Sequence, residues 1–197
     1  MTNRDLKILE FINRLGKCNV KQLSNYFMLS ELRIYQILQR LKKEKLVYHQ
    51  RIFHNQPGII WCTSKGASIS SSQEIIPIRN INLNSLKHDL IVNNVLINKI
   101  KQNQCLEFQT ERELRQKGEL DHYPDLLITT VEEKCIAIEI ELTRKSTGRI
   151  EKILQFYLCN LWIDEVQYYC DHSLYSFLKR SFSNTDLIKI QTLIDHE

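Results

Sequence analysis

Glycine and proline are scarce in this sequence, with five glycines and three prolines among 197 residues. Flexible linkers and disordered segments are usually rich in such residues, so neither is indicated here. Long apolar runs are also missing. None approaches the roughly 18–20 residues that a membrane-spanning helix requires, and no signal-peptide pattern opens the chain. We therefore expect a cytoplasmic protein that does not act at a membrane.

Several signatures of catalysis and of metal binding are missing as well. The sequence has six cysteines, but no Cys-x-x-Cys pair of the kind that binds zinc. We expect these cysteines to be small apolar residues in a reducing compartment. No glycine-rich phosphate-binding loop occurs, so ATP use is not indicated. The histidine cluster that is typical of tyrosine relaxases is also missing.

Charge is distributed unevenly along the chain. The whole sequence has 27 Lys and Arg against 23 Asp and Glu, a net charge of +4. Residues 1–73 contain 12 basic and 4 acidic residues, a net charge of +8. The remaining 15 basic and 19 acidic residues give residues 74–197 a net charge of −4. This asymmetry predicts two modules, of which the first faces a polyanion.

The first module has the pattern of three short helices followed by two strands. Apolar residues at helical spacing predict helices over 4–15, 19–27 and 30–45. Two strand-like runs, VYHQRIF and IIWCTS, are joined by HNQPG, which is a turn by composition. The Lys65-Gly66 step then leads into one more short helix.

This order of elements resembles the winged helix-turn-helix superfamily over residues 4–70. The resemblance implies that the third helix enters the major groove, where Arg33, Tyr35 and Gln36 read bases or the backbone. It also implies that five further side chains lie near phosphates. These five are Arg40, Lys42, Lys43, Arg51 and His54. A winged helix used only for protein contacts is the alternative, and the net charge of +8 argues against it.

The second module follows a stretch rich in serine and without periodicity, residues 70–80, which is the expected boundary. We therefore predict domains at 1–73 and 81–197. A long helix over 83–102 precedes a strand, and the polar stretch 111–123 is predicted as a turn or loop. Two strands, a helix with a strong apolar stripe, a further strand and a helix-strand tail complete the order. The expected fold is α+β with an α-β-β-β-α-β core.

Three carboxylates fall inside the two segments that most resemble buried strands. Asp125 opens one strand, and Glu139 and Glu141 lie on one face of the next. Burying a carboxylate is unfavourable unless a cation or several donors meet it. A twisted hairpin could bring Asp125 close to Glu139, where a hard cation such as Mg²⁺ or Mn²⁺ would find oxygen ligands. A solvent-exposed face, with pairing to basic residues in 144–149, stays open as the alternative.

In their context these residues resemble a known family. Pro124-Asp125, a spacer and Glu139-Ile140-Glu141 are similar to the motif of the restriction-endonuclease-like superfamily. That motif is Pro-Asp, a variable gap, then Asp or Glu, any residue and Lys. With the N-terminal winged helix and the segments KHDLIVNNV, ERELR, YPDLLI and IEIELTRK, the chain resembles more narrowly the plasmid replication-relaxation family and the related mobilisation relaxases.

The resemblance implies a plasmid or mobile-element protein that binds double-stranded origin DNA and nicks it with a metal-dependent nuclease-like domain. It assigns Asp125 and Glu139 as ligands of Mg²⁺ or Mn²⁺. Glu141 stands where the family has lysine, and Lys145 could reach back to replace that cation. These four residues are the catalytic candidates. Conjugation or replication proteins and a second copy of the chain are the implied partners.

Two interpretations of the second module stay open. It is either a nickase or a non-catalytic accessory or regulatory module that serves dimerisation or partner recruitment. Glu111 or Glu113 could add a metal ligand, and His88 could carry a proton or be a satisfied buried histidine. Tyr157, like the other tyrosines on apolar stripes, is expected to pack in the core rather than to act as a nucleophile.

Overall fold

The computed structural model describes residues 1–70 and 75–193 of the chain. The protein has a mixed α+β structure and divides into two compact units, Met1–Lys101 and Gln102–Glu197. The described part of each unit has its own sheet. Within those ranges, no helix is both long enough and apolar enough to cross a membrane.

The first unit combines helices with a small antiparallel sheet. Its helices are α1 Asn3–Leu15, α2 Val20–Phe27, α3 Glu31–Lys43, α4 Ser64–Ile69 and α5 Leu83–Lys101. Its strands are β1 Cys18–Asn19, β2 Val47–Gln50 and β3 Ile59–Cys62. Strand β3 lies between β1 and β2 and is antiparallel to both. The apolar faces of α1, α2 and α3 are buried, which explains the spacing of their apolar residues.

Local caps fix the ends of these helices. Thr2 and Asp5 form a capping box at the start of α1, and Gly16, at φ 80°, ends that helix. Asn19 and Gln22 form a second capping box at the start of α2. The three helices predicted for this region are therefore confirmed, with Gly16 and Asn19 at the ends where the sequence places them, whereas α3 ends at Lys43 rather than at residue 45.

Helix α4 corrects one local prediction. The Lys65-Gly66 step was expected to precede the last short helix, but both residues lie inside it. A Cβ atom on Gly66 would lie 2.0 Å from the carbonyl oxygen of Leu46, so the helix packs directly on the backbone that precedes β2. Glycine is present here because of this close approach and does not end a loop.

Helix α5 packs within the first unit, whereas the sequence analysis placed it in the second domain. Lys17 pairs with Asp89 of α5, and the side chain of Asn93 donates a hydrogen bond to the carbonyl oxygen of Lys17 at 2.7 Å. The division by contacts therefore falls after α5 and not within the stretch 70–80. Residues 71–74 of that stretch lie outside the described residues.

The second unit is built on a five-stranded mixed sheet. Its strands are β4 Glu107–Thr110, β5 Leu126–Thr129, β6 Cys135–Glu141, β7 Glu165–Cys170 and β8 Ile188–Thr192. Its helices are α6 Glu111–Lys117, α7 Thr147–Cys159 and α8 His172–Ser181. The strands lie in the order β4-β5-β6-β7-β8. The pairs β4–β5 and β5–β6 are antiparallel, and the pairs β6–β7 and β7–β8 are parallel. The carboxyl ends of β6 and β7 and the start of β5 therefore meet at one edge of the sheet.

Helices α7 and α8 supply the apolar cover for one face of this sheet. Side chains from β6 and β7 that share this face, including Ala137, Val166 and Tyr168, belong to the same buried cluster as Ile153 of α7 and Phe182 of α8. Alternation along β6 places Glu139 and Glu141 on the same face as Ala137. The two carboxylates therefore extend the face that carries the core.

Helix α6 is a second correction, since residues 111–123 were predicted as a turn or loop. Thr110 and Glu113 form a capping box, and Gly118 ends the helix in a left-handed conformation at φ 68°. Only Leu114 is buried within it. A short helix with one buried residue has no apolar stripe, which explains why periodicity does not reveal it.

Candidate functional site

Asp125, the residue before β5, lies directly opposite Glu139 of β6. Leu126 pairs with Ile138 in this antiparallel ladder, so the residue before Leu126 stands opposite the residue after Ile138. Directly opposed residues of an antiparallel pair point to the same face. The carboxylate of Asp125 accepts a hydrogen bond from the backbone N–H of Ile140 at 2.7 Å. The structure thus brings together the two carboxylates that the sequence motif places 14 positions apart.

Glu139 is buried, with 5% of its surface exposed, and two donors meet its carboxylate. His122 Nε2 lies 2.5 Å from Glu139 Oε1, and the hydroxyl of Tyr157 donates to the same oxygen. Burial raises the pKa of Glu139, and the charge of Asp125 raises it further, although His122 and Tyr157 act in the opposite direction. A raised carboxyl pKa beside a second carboxylate is typical of functional sites.

Glu141 is also buried, at 4% exposure, and it pairs with Lys145. The lysine follows the strand end by four residues, so its long stem reaches back to the carboxylate that occupies the motif position. Glu139 and Glu141 are both buried, so they do not lie on a solvent-exposed face, but the pairing with basic residues in 144–149 that this alternative expected is present between Glu141 and Lys145. Lys145 therefore places a positive charge beside Glu141.

Two tyrosines complete the surroundings of Glu139. Tyr157 of α7 and Tyr168 of β7 are each 1% exposed, and Tyr168 is the β7 residue in register with Glu139. Burial raises the pKa of each phenol well above its ordinary value, and the charge of Glu139 raises both further. The expected core position of Tyr157 is confirmed, but its hydroxyl also orients the carboxylate.

The sequence analysis missed His122 and the polar role of Tyr157. His122 precedes Pro124-Asp125 by two positions, and this proximity to the motif is the one signal that could have identified it. Tyr157 gave no such signal, because its contact with Glu139 depends on how α7 packs against the sheet.

The other acidic candidates have local partners. Glu113 accepts a hydrogen bond from the backbone N–H of Thr110 at 2.6 Å, and Glu111 pairs with Arg115 at 2.6 Å. His88 is a residue of α5 in the first unit, next to Asp89, so it does not belong to the unit that holds the carboxylates.

The donor set bears on the metal that the resemblance implies. In the described ranges 1–70 and 75–193, no group of three or more His, Cys, Asp and Glu residues is placed to hold a metal ion. Mg²⁺ is commonly bound through only one or two carboxylates, with water and substrate phosphate as its other ligands. Asp125 and Glu139 fit a site of that kind, and they do not fit a closed cage made by the protein.

Helix α3 and the strand after it form a separate polar surface in the first unit. All eight residues assigned to DNA are exposed. They are Arg33, Tyr35, Gln36, Arg40, Lys42, Lys43, Arg51 and His54. Arg40 donates to the buried carboxylate of Asp5 at 2.7 Å, and Arg33 donates to Gln36 at 3.0 Å. These two guanidinium groups therefore have partners within the protein. Lys42 and Lys43 are the cations of α3 that lie closest to β2 in sequence.

A concavity of ≈ 700 Å³ adjoins this surface between the end of α3, strand β2 and the start of α4. Its cationic side chains are Lys42, Lys45 and Lys65, of which the sequence analysis selected only Lys42. His49 also lines it, and the pKa of His49 is lowered by burial and by the nearby Lys42. Three lysines around one hollow give this part of the surface a positive electrostatic potential.

Comparison with protein-family models, with curated proteins and with solved structures finds no match for this chain. The resemblance described above is therefore carried by the motif residues themselves.

Proposed function

We propose that this chain processes the DNA of plasmids or other mobile elements, binding double-stranded origin DNA through its first unit and nicking it at the carboxylates of its second. The observation that carries this proposal is that Asp125 and Glu139 lie opposite each other on adjacent strands, while Lys145 pairs with the neighbouring Glu141. Two carboxylates beside a cation are the side chains that metal-dependent cleavage of a phosphodiester uses. The order of motif residues supports the same conclusion.

DNA binding is supported by the arrangement of the first unit. Three helices, a short strand between the first two and an antiparallel pair after the third are what a winged helix-turn-helix requires. In that arrangement the third helix would enter the major groove with its exposed side chains toward the bases. The net charge of +8 over residues 1–73 would supply affinity for the phosphates.

A nuclease-like second unit is supported by its strand order. Three antiparallel strands, the helix α7 and then the parallel strand β7 follow the β-β-β-α-β part of the expected core. The candidate residues lie where the start of β5 meets the end of β6. In this proposal they would act as the motif residues of a restriction-endonuclease-like domain.

Each of the four candidate residues has a role in this proposal. Asp125, oriented by the N–H of Ile140, and Glu139, oriented by His122 and Tyr157, would hold the ion. Bound Mg²⁺ or Mn²⁺ would polarise the scissile phosphate and lower the pKa of an attacking water. Lys145 supplies positive charge beside the phosphate, and Glu141 keeps that ammonium group at the sheet edge.

Nicking can be tested directly with supercoiled plasmid that carries the DNA flanking the coding sequence. With Mg²⁺ or Mn²⁺ the full chain should convert supercoiled to open-circular DNA, and EDTA should stop the conversion. Asp125→Asn and Glu139→Gln should reduce nicking to background while leaving DNA binding unchanged. Glu151→Gln, at an exposed position of α7, is the matched control and should nick normally.

A non-catalytic accessory or regulatory protein is the second candidate, because two observations favour it. Glu141 occupies the motif lysine position and already pairs with Lys145, and Glu139 already accepts two hydrogen bonds. Carboxylates that already have hydrogen-bond or ion-pair partners within the protein gain less from binding a metal ion. DNA binding without nicking in either metal would establish this candidate and would refute the nickase.

A further inference from the structure

Helix α3 exposes an apolar side chain, Leu32, in the first turn of its outer face. Ile34, Ile37 and Leu41 are buried and define the inner face. Successive helical residues are turned by roughly 100°, which places Leu32 opposite that inner face. Leu32 is 70% exposed, and Met28, in the turn that precedes the helix, is 87% exposed. Single exposed leucines are ordinary, so the neighbours of Leu32 determine what its position means.

Glutamine side chains continue the same line along the helix. Gln36 and Gln39 follow Leu32 at i+4 and i+7, and both are exposed. Lys43, at i+11, lies toward the end of this row. The outer stripe of α3 is defined here as Leu32, Gln36, Gln39 and Lys43.

Guanidinium groups lie to one side of the outer stripe. Arg33 and Arg40 are seven positions apart and share one flank of the helix. Arg40 is held by Asp5 at 2.7 Å, and Arg33 donates to Gln36 at 3.0 Å. The stripe therefore combines an apolar side chain at its start with two amides further along the helix.

This combination matches one kind of base pair in the major groove. Thymine presents its C5 methyl group, which apolar side chains contact, and adenine presents N7 and N6, which a glutamine amide can bond together. Guanine is most often read by arginine or lysine. Leu32 suits the thymine methyl, and Gln36 and Gln39 suit adenine.

We infer that the outer stripe of α3 reads A·T base pairs, with Leu32 against thymine methyl groups and Gln36 and Gln39 on adenine. The inference rests on the proposed binding of DNA by the first unit. The positive charge of that unit supplies affinity for any sequence. The outer stripe adds the preference among sequences.

The experiment uses the full chain and duplexes about two helical turns long, selected by the chain from a random-sequence pool. A copy of the selected duplex is then made with deoxyuridine in place of thymidine, which removes only the methyl group. The selected sequences should share A·T steps. The deoxyuridine copy should bind about fourfold more weakly for each methyl group that is contacted, which corresponds to one buried methylene equivalent.

Leu32→Ala should weaken binding of the thymidine duplex by a similar factor and should bind both copies equally. Because Leu32 is exposed, this variant should unfold at the wild-type midpoint, which circular dichroism checks. Leu161→Ala removes a leucine that is 92% exposed in the second unit, and it should keep the full preference for thymidine.

Each unfavourable outcome has a separate meaning. Selection of G·C sequences, or equal binding of both copies by the wild-type chain, would overturn the inference while DNA binding stands. Absence of binding to any duplex at low salt would overturn the proposed function, and the inference with it.

Discussion

At the residue scale, the buried carboxylates of Asp5 and Glu139 have pKa values shifted in opposite directions. Burial tends to raise the pKa of Asp5, but the backbone N–H of Thr2 and the guanidinium of Arg40 outweigh it, so the net pKa of Asp5 is lowered. Burial raises the pKa of Glu139, and the carboxylate of Asp125 beside it raises it further, against the hydrogen bonds from His122 and Tyr157. Asp5 therefore stabilises the fold, whereas Glu139 is held against the preference of its surroundings.

Asp5→Asn should cost about 1–2 kcal/mol of unfolding free energy at pH 7, because it removes a charged acceptor from Thr2 and Arg40. A lowered folded pKa stabilises the protein above the unfolded value of about 3.9, and this contribution is lost as the pH falls through the folded pKa. The difference between variant and wild type should therefore shrink in acid. Urea titrations from pH 7 to pH 3 measure it.

Glu44→Gln changes an exposed carboxylate at the end of α3 and is the control for Asp5→Asn. It should leave stability within about 0.5 kcal/mol of the wild type at every pH. An Asp5→Asn deficit that stays constant down to pH 3 would show that the charge of Asp5 is not what stabilises the first unit.

At the scale of elements, two helical glycines face opposite surroundings. A Cβ atom on Gly66 would lie 2.0 Å from the carbonyl oxygen of Leu46, whereas one on Gly148 would meet no atom within 4 Å. Gly66→Ala should therefore destabilise the first unit by about 1–3 kcal/mol or more, through the displacement of α4. Gly148→Ala should stabilise the second unit by about 0.4–1 kcal/mol. Thermal unfolding followed by circular dichroism distinguishes the expected loss of stability from the expected gain. An unchanged melting temperature for Gly66→Ala would mean that α4 is free to shift.

Elements that carry a cap and an apolar stripe were predictable from the sequence. Asn19 and Ser30 are the N-cap residues of α2 and α3, and each helix then buries a regular set of apolar residues. Strand β1 was not predicted, because Cys18 and Asn19 form a strand only by pairing with β3. Short elements whose partner is distant in sequence carry too little local pattern to be recognised.

Like the fold, the candidate site has one part that was predictable from the sequence and one part that was not. The opposition of Asp125 and Glu139 was predictable because a short turn joins their strands, which sets the register. The donors on Glu139 were not predictable, because Tyr157 arrives through the packing of α7 against the sheet. Tertiary contacts of this kind have no signature in a single sequence.

At the scale of the whole molecule, the boundary between units has a practical consequence. Gln22 is 2% exposed, and its side-chain amide donates to the carbonyl of Leu90 at 2.7 Å and to Asn94 at 2.8 Å. A fragment ending at residue 75 would remove both acceptors and expose the apolar residues that α5 covers. The division by contacts therefore predicts that α5 is required for a stable first unit.

A fragment of residues 1–101 should unfold cooperatively and bind DNA with the same dependence on salt as the full chain. A fragment of residues 1–75 should have a lower urea midpoint, because loss of α5 exposes the apolar residues that it covers, at a cost of about 25 cal/mol per Å² of apolar surface. Equal midpoints for the two fragments would refute the assignment of α5 to the first unit. Circular dichroism in urea and gel-shift titrations at several salt concentrations provide the comparison.

The β5–β6 hairpin has one more consequence, which concerns the order of folding. His122, Asp125, Glu139 and Lys145 all lie within residues 122–145, and the strands between them are joined by a tight turn in which Glu133 has φ 62°. Hairpins that close over so short a loop form within roughly 1–10 μs. These candidate site residues can therefore approach one another before the distant strands β7 and β8 dock, and mutations in the rest of the sheet should slow those later steps more than formation of the hairpin.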